Sequence, residues 1–325
     1  MVTLRDVAEM AQVSVSTVSY VLNGKKTVRP ETLTKINAAI KELGYYPNQI
    51  AIGLKTKRTY TIGVILPDIS NSFYADIIKG IEDTVHLSGY SVILCNTEND
   101  EAREMKYLNT LLGKDIDGLV FIGTGKTRDI SGKFGSKPVV LVDRKFGNEF
   151  SSVSVNNILG GYLATKLLLK DSRDIIFLSG PVSVNTISER KIGYRNALAE
   201  ACVAFNENNV IECDFTYDGG YNAITGILKE GRKIQAVFAS NDEIALGAMR
   251  AMIENGIKIP DDVKIAGYDD IRLAAMYNPA LTTIRQPKYE MGKKAGELIL
   301  DMIVNKDGET RQVVLEPVLV ERETT

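Results

Sequence analysis

Apolar residues in the first forty-five positions recur at helical spacing and predict three short helices. Residues 4–11 place four apolar side chains on one helical face. After a tight turn, Ser14 is a suitable N-cap for a second helix over residues 15–22. Pro30 is a suitable first residue and Gly44 a suitable terminator for a third helix. Two short helices joined by a turn and supported by a third predict a helix-turn-helix, whose second helix enters the major groove of DNA.

From residue 61 onward, short apolar runs alternate with segments of helical periodicity. This alternation predicts βαβ units and parallel sheets. The runs form two similar series, which predicts an α/β fold with two doubly wound subdomains after the helix-turn-helix. The predicted strands are residues 61–68, 90–97, 117–123 and 138–144 in the first series, and 174–180, 209–216, 236–242 and 263–270 in the second. Ligands of such sheets bind at the carboxyl ends of the strands, where we therefore look for binding residues.

The two parts of the chain carry opposite charge. Residues 1–60, called the headpiece below, hold nine Lys and Arg against four Asp and Glu, a net charge of +5. Residues 61–325, called the core, hold 30 basic and 37 acidic residues, a net charge of −7. A small basic module joined to a larger acidic one predicts a polyanionic partner for the basic module alone.

Several classes of site are disfavoured by the composition. His86 is the only histidine, and the three cysteines have no CxxC spacing. These counts argue against Ser-His-Asp and Cys-His hydrolases, a disulfide framework and a zinc site. We expect neither a metal nor a cofactor. No apolar run reaches the roughly 18 residues of a membrane span, and no signal peptide is recognised, so we expect a cytoplasmic protein without membrane association.

The segment TLRDVAEMAQVSVSTVSYVLNG resembles the DNA-binding headpiece of the lactose-repressor (LacI/GalR) family. The resemblance implies that Val15, Ser16 and Tyr20 contact base edges in the major groove. It implies that the other headpiece candidates contact phosphates or cap helices; these are Thr3, Ser14, Thr17, Asn23 and Arg29. Relatives commonly carry a small capping residue where this chain has Arg29, so a phosphate contact is expected there.

Residues 48–57 match the hinge segment of that family. In relatives this segment folds into a short helix on operator DNA, and Leu54 occupies the position of the leucine that wedges into the minor groove. Gly53 departs from the helix-favouring residues usual there and would cost the hinge helix roughly 1 kcal/mol relative to Ala. Without the resemblance, the segment reads as a plain linker with one apolar residue.

The resemblance also implies how the core is divided. We expect a first subdomain over residues 61–160 plus about 290–320, and a second over about 161–289. The motifs LCNTE, LGGYLAT, GYDDI and LTTIRQPK and the ending LEPVLVER are similar to those of the ribose-responsive members of the family. Such cores resemble periplasmic sugar-binding proteins, so the expected fold is a periplasmic-binding-protein-like pair of doubly wound subdomains.

Polar and aromatic residues follow the predicted strands of both series. The ligand-binding candidates are Asn71, Phe73, Tyr74, Asp143, Arg144, Arg190, Phe215, Asn241, Asp269 and Gln286. Carboxylates and guanidiniums form paired hydrogen bonds with neighbouring hydroxyls, and aromatic rings stack on C–H faces, so the set suits a neutral polyol. It resembles the ligand residues of periplasmic ribose-binding proteins, which implies D-ribose or a close pentose. Taken singly, Asp143 and Arg144 could instead pair with each other, and Asn241 could cap a helix.

Together these observations predict a homodimeric repressor of a sugar-utilisation operon that binds a palindromic operator and is released by the sugar. The alternative within the family is a catabolite-control-type regulator whose DNA binding is raised by a phosphoprotein partner. A sugar-processing enzyme is a third possibility, with Asp143 or Asp269 as the base. Corepression, in which the sugar raises operator affinity, is the alternative to release.

Overall fold

The computed structural model describes residues 2–22, 28–46, 58–123, 132, 134, 137–143, 149–182, 184–305 and 309–325. It divides into two compact units, Met1–Thr59 and Tyr60–Thr325. The predicted hinge over residues 48–57 and the candidates Asn23, Leu54 and Arg144 lie outside the described residues.

The headpiece contains three helices, α1 (Leu4–Met10), α2 (Val15–Leu22) and α3 (Pro30–Leu43). Their bounds agree closely with the prediction, because each end is marked by a local signal. The proline that begins α3 has no N–H to leave unpaired, and Gly44 ends it in the left-handed region at φ 58°. The helices enclose a small core made of Val7, Ala8, Ala11, Val18, Ile36, Ala39 and Tyr45.

The core unit is built on two six-stranded sheets among the described residues. In spatial order the first sheet consists of β11 (Gln312–Leu315), β5 (Ser151–Val155), β4 (Val139–Val142), β3 (Gly118–Phe121), β1 (Thr61–Leu66) and β2 (Ser91–Asn96). The second consists of β12 (Val318–Val320), β10 (Thr282–Arg285), β9 (Lys264–Asp269), β8 (Ala236–Ala239), β6 (Ile175–Ser179) and β7 (Val210–Glu212). All pairs are parallel except β10 with β12. The prediction of two doubly wound α/β subdomains, called lobes below, is confirmed.

Helices cover the faces of both sheets, as parallel sheets require. They are α4 (Ser72–His86), α5 (Glu101–Gly113), α6 (Asn157–Leu168), α7 (Asn185–Glu200), α8 (Tyr217–Lys229), α9 (Asp242–Glu254), α10 (Arg272–Met276) and α11 (Lys288–Asn305), with a 3₁₀ turn at Glu207–Asn209. None of the helices within the described ranges is both long and apolar enough to span a bilayer. Both sheets reverse their strand order beside their first strand, β1 or β6, which places a crevice at the carboxyl ends of the strands.

The chain passes between the lobes three times. It crosses from β5 to α6, returns from β10 to α11, and crosses again from β11 to β12. Helix α6 packs on α7 and the second sheet, whereas α11 packs on α4 and the first sheet. Because β12 pairs with β10, the last crossing falls near Pro317, before the boundary at residue 320 expected from the sequence. Two short strands separated only by Glu316 and Pro317 gave no sign that they belong to different sheets.

Candidate DNA-binding surface and ligand cleft

One side of α2 is exposed and carries the residues predicted to contact bases. Val15 and Tyr20 are 42% and 44% exposed, and Ser16 is exposed between them. Val18, on the opposite side of the same helix, is fully buried in the headpiece core. The amphipathic pattern of α2 therefore fixes which side chains a DNA major groove can reach.

Most of the remaining headpiece candidates lie at helix starts. Thr3 caps α1, where its hydroxyl accepts a hydrogen bond from the Asp6 N–H. The Asp6 carboxylate accepts hydrogen bonds from the Thr3 N–H and hydroxyl, which hold the pKa of that carboxyl below its usual range. The Ser14 Oγ lies 3.1 Å from the Thr17 N, an N-capping contact, and Thr17 is half-buried beside it. Arg29 precedes α3, is exposed, and makes no side-chain capping bond. Helix starts of this kind present backbone N–H groups that suit phosphates.

A cleft with a volume of about 320 Å³ lies between the two lobes. Eight of the ten predicted ligand residues line it: Asn71, Phe73, Tyr74, Asp143, Arg190, Phe215, Asn241 and Asp269. Four come from the first lobe and four from the second. The carboxyl ends of parallel strands meet at this edge of each sheet, which explains why residues so far apart in sequence converge.

Two carboxylates occupy equivalent positions in the two lobes. Asp143 directly follows β4, and Asp269 ends β9, which takes the same place in the second sheet. Both side chains are buried, and both residues have positive φ, at 67° and 114°. Non-glycine residues rarely adopt such backbone conformations, and they cluster at ligand-binding sites, where the surrounding structure enforces them.

Two residues that follow the neighbouring strand β10 contact Asp269. The Gln286 Nε2 donates a hydrogen bond to its Oδ1 at 2.7 Å, and the Lys288 Nζ donates to its backbone oxygen at 2.8 Å. Burial raises the pKa of Asp269 to about 6, against the opposing charges of Arg190 and Lys288. Gln286 is almost fully buried and is not among the residues that line the cleft, so the structure places it behind Asp269.

Arg190, on α7 of the second lobe, is also buried. Its guanidinium carbon lies 3.7 Å from the centre of the Tyr268 ring, and its Nε donates to the Asn157 Oδ1 at 2.9 Å. Its Nη1 donates to the Ser240 carbonyl oxygen. A Cβ at Gly160 would lie 2.2 Å from the Tyr268 hydroxyl, so the tyrosine can occupy this position only beside a glycine.

Two asparagines of the cleft, Asn71 and Asn241, also cap helices. The Oδ1 of Asn71 accepts from the Phe73 N–H at 2.9 Å, and that of Asn241 accepts from the Ile244 N–H at 2.8 Å. The capping role considered for Asn241 is therefore present, and it coexists with a place on the cleft wall. Capping uses the amide oxygen and leaves the Nδ2 group as a donor.

Aromatic rings provide part of the apolar surface of the cleft. Phe73 and Tyr74 pack edge to face with their ring centres 5.1 Å apart. A Cβ at Gly180 would lie 2.3 Å from the Phe215 ring, so the glycine that follows β6 makes room for that ring. The rings and the carboxylates together suit a compact molecule with apolar faces and polar edges.

Further residues line the cleft that were not predicted. They are Pro67, Asp68, Asn99, Pro181, Val184, Thr186, Asp214 and Thr216. Asp68, Asn99 and Asp214 follow strands β1, β2 and β7, so the strand-end rule would have found them if applied to every strand. Among the described lining residues there are thus four carboxylates and one guanidinium, which disfavours a phosphorylated ligand. In the described part of the chain, no three His, Cys, Asp or Glu side chains are grouped to hold a metal ion.

Two family models match separate parts of the chain. Residues 3–48 match the model for bacterial regulatory proteins of the lacI family. Residues 59–323 match the model for periplasmic binding proteins and the sugar-binding domain of the LacI family.

Curated relatives match over nearly their full length. The ribose operon repressor of Escherichia coli K12 is 37% identical, with 99% of both chains covered. Catabolite control protein A of Priestia megaterium is 36% identical, with 98% of both chains covered.

Solved structures show the same fold. The Lac repressor dimer bound to operator and an anti-inducer matches with a TM-score of 0.88 and 28% identity, covering 100% of this chain and 99% of the other. A LacI family regulator from Enterococcus faecium with bound ribose matches with a TM-score of 0.73 and 30% identity, covering 82% of this chain and 98% of the other.

Proposed function

The chain belongs to the LacI family of DNA-binding transcriptional regulators, and on that premise we propose that it represses a sugar-utilisation operon and is released from DNA by D-ribose or a close pentose. The observation that carries this proposal is the convergence of eight predicted sugar-binding residues on one cleft between the lobes. The ribose found in the Enterococcus faecium regulator and the similarity to the Escherichia coli ribose repressor support the choice of sugar.

The chemistry of the cleft explains how such a sugar would be held. The carboxylates of Asp143 and Asp269 each accept two hydrogen bonds from neighbouring hydroxyls, while Arg190 donates to sugar oxygens. Phe73 and Phe215 cover the C–H faces. A sugar held by both lobes favours the arrangement in which the lobes are closed. Because linkage is reciprocal, a sugar that lowers operator affinity is itself bound less tightly by the DNA-bound protein.

On the DNA side, we propose that α2 of each protomer lies in a major groove, with Val15, Ser16 and Tyr20 facing the bases. Two protomers related by a twofold axis then require a palindromic operator. Leu54 is proposed to wedge into the minor groove between the half-sites, which needs the hinge segments of both protomers side by side.

The sugar assignment is tested by thermal unfolding of the purified protein against a panel of sugars. At 100 times its dissociation constant, D-ribose is expected to stabilise the protein by about 2.7 kcal/mol and to release a palindromic operator. Ribose 5-phosphate is the matched control, which the carboxylate-rich cleft should reject. Stabilisation by the phosphate but not by ribose would contradict the proposal, as would operator binding that tightens with ribose.

The DNA surface is tested by shortening the side chains of α2. Tyr20→Ala and Val15→Ala are each expected to weaken operator binding by about tenfold, since each removes one base contact. Ribose binding should not change, because it belongs to the other unit. Glu42→Ala, on the exposed last turn of α3, is the control. Operator affinity that survives both α2 substitutions would show that this face does not read the bases.

Similarity to catabolite control protein A keeps one alternative open. In that case a phosphorylated protein partner would raise operator affinity, and no free sugar would be needed. The operator-release measurement with D-ribose decides between the two functions, because it contains no protein partner. Release by ribose alone supports the sugar-responsive repressor, and no effect of any free sugar supports the partner-dependent regulator. The relatives named above are all regulators or repressors, which gives no support to an enzyme that uses Asp143 or Asp269 as a base.

A further inference from the structure

Lys288 connects the two lobes through a single buried side chain. Its backbone begins α11, which packs on α4 in the first lobe. Its Nζ reaches back into the second lobe, where it donates to the backbone oxygens of Asp269 and Asp270 at 2.8 and 2.5 Å. The same nitrogen lies 4.0 Å from the Asp76 carboxylate on α4. The side chain is only 8% exposed, so the ammonium depends on these acceptors.

The backbone that Lys288 contacts is strained. Asp269 and Asp270 have φ values of 114° and 51°, two successive non-glycine residues with positive φ. Such a conformation persists only where surrounding contacts enforce it. The carbonyl oxygens of two successive residues point at one nitrogen. A lysine ammonium can bind both, because it is compact and donates three hydrogen bonds.

Separate contacts hold the Asp270 side chain and the residue that follows it. Arg285 and Arg322 both donate to the Asp270 carboxylate. The Ile271 N–H donates to the Asp242 Oδ2 at 2.8 Å, which fixes the chain just after the strained pair. Lys288 therefore holds the backbone that carries the Asp269 carboxylate, while Gln286 holds the carboxylate itself at its Oδ1.

We propose that Lys288 is a positioning residue for the effector, which sets the orientation of Asp269 in the cleft and makes that orientation depend on where α11, and with it the first lobe, lies. This inference rests on the proposed sugar-binding function. It means that part of the coupling between cleft and lobe arrangement passes through a side chain that does not line the cleft.

The test uses the full-length chain and three variants. Lys288→Met keeps the length and apolar stem but removes the donors, and it is expected to weaken D-ribose binding by about 10-fold to 100-fold. Lys288→Arg keeps the charge but cannot place one nitrogen between two oxygens, so its affinity should fall between those of Lys288→Met and the original chain. Lys293→Met, on the same helix with a half-exposed side chain, is the matched control and should change nothing.

Two further readouts separate positioning from general damage. Operator affinity without sugar should stay within twofold in all variants. Hydrogen–deuterium exchange of a peptide covering residues 268–272 should be at least tenfold faster in Lys288→Met than in the original chain. A ribose affinity of Lys288→Met within twofold of the original would overturn the proposal.

The remaining outcomes are also decisive. If the original chain binds no ribose, the proposed effector fails, while exchange at residues 268–272 still decides the role of Lys288: faster exchange supports it and unchanged exchange overturns it. If Lys288→Met does not fold, Lys288→Arg replaces it, and unchanged ribose affinity in that variant overturns the proposal.

Discussion

Replacing Asp269 with asparagine is expected to abolish the sugar response and to raise the stability of the sugar-free protein. Burial raises the pKa of the Asp269 carboxyl to about 6 from an ordinary value of 3.8. At pH 7 the ionised group therefore costs the folded state about 3 kcal/mol relative to a neutral one. Asparagine has nearly the same shape and no charge, so it avoids this cost.

The sign of the pH dependence follows from the same pKa. Between pH 3.8 and about 6 the folded state binds more protons at Asp269 than the unfolded state does. The contribution of this group to stability therefore falls as the pH rises through that window and is constant above it. Urea unfolding at pH 4.5, 5.5 and 7 should show the difference between Asp269→Asn and the original chain growing with pH.

The loss of sugar response has a separate cause. A carboxylate accepts hydrogen bonds from two hydroxyls, whereas asparagine offers one acceptor and one donor group. Hydrogen bonds to charged groups contribute about 1.5–3 kcal/mol each, so ribose affinity should fall at least about 100-fold. Asp261→Asn, at an exposed position, is the control. If Asp269→Asn is less stable than the original at pH 7, the attraction of Arg190 and Lys288 to the carboxylate exceeds the cost of burying it.

Removing the guanidinium of Arg190 is expected to cost about 3–5 kcal/mol of stability as well as sugar binding. Arg190→Ala removes the donor to the buried Ser240 carbonyl oxygen and leaves the Asn157 Oδ1 with only the Tyr268 hydroxyl, 3.2 Å away. It also removes the cation stacked on Tyr268 and one of the two charges that oppose the high pKa of Asp269. The measurement is the free energy of unfolding, taken together with ribose affinity at a temperature where the variant is folded.

A matched control lies on the same helix. Arg195 is exposed and its guanidinium carbon lies 4.8 Å from the centre of the Phe205 ring, so Arg195→Ala should cost no more than about 1 kcal/mol. Arg190→Lys keeps the charge but loses the planar stack, so its loss of stability should lie between those of Arg195→Ala and Arg190→Ala. Stability of Arg190→Ala within 1 kcal/mol of the original would mean that water replaces the lost donor.

The helices of the headpiece could be predicted from the sequence because their ends carry local signals. Ser14 and Gly44 act on backbone groups only a few residues away. The strands that escaped prediction, β5, β10, β11 and β12, are three to five residues long. Strand β5 reads Ser-Ser-Val-Ser-Val, which carries little apolar signal, and yet it is wholly buried because it lies inside the sheet. Such strands are specified by their neighbours in space.

The cleft shows the same division. Asp143 and Asp269 could be predicted because they directly follow long apolar runs, and the strand-end rule needs no knowledge of packing. The position of Gln286 behind Asp269, and the reach of Lys288 across the lobes, depend on how β10 pairs with β9. No periodicity in the sequence records such a contact.

The three passages of the chain between the lobes restrict how the core can move. Two bodies joined by a single peptide can swing and twist freely about it, whereas three separate connections leave mainly one rotation, about an axis running near all of them. Ligand in the cleft therefore acts on a mechanism with essentially one degree of freedom. A small molecule that binds more tightly at one angle of that rotation shifts the first lobe as a rigid body. The packing inside the lobe does not need to change.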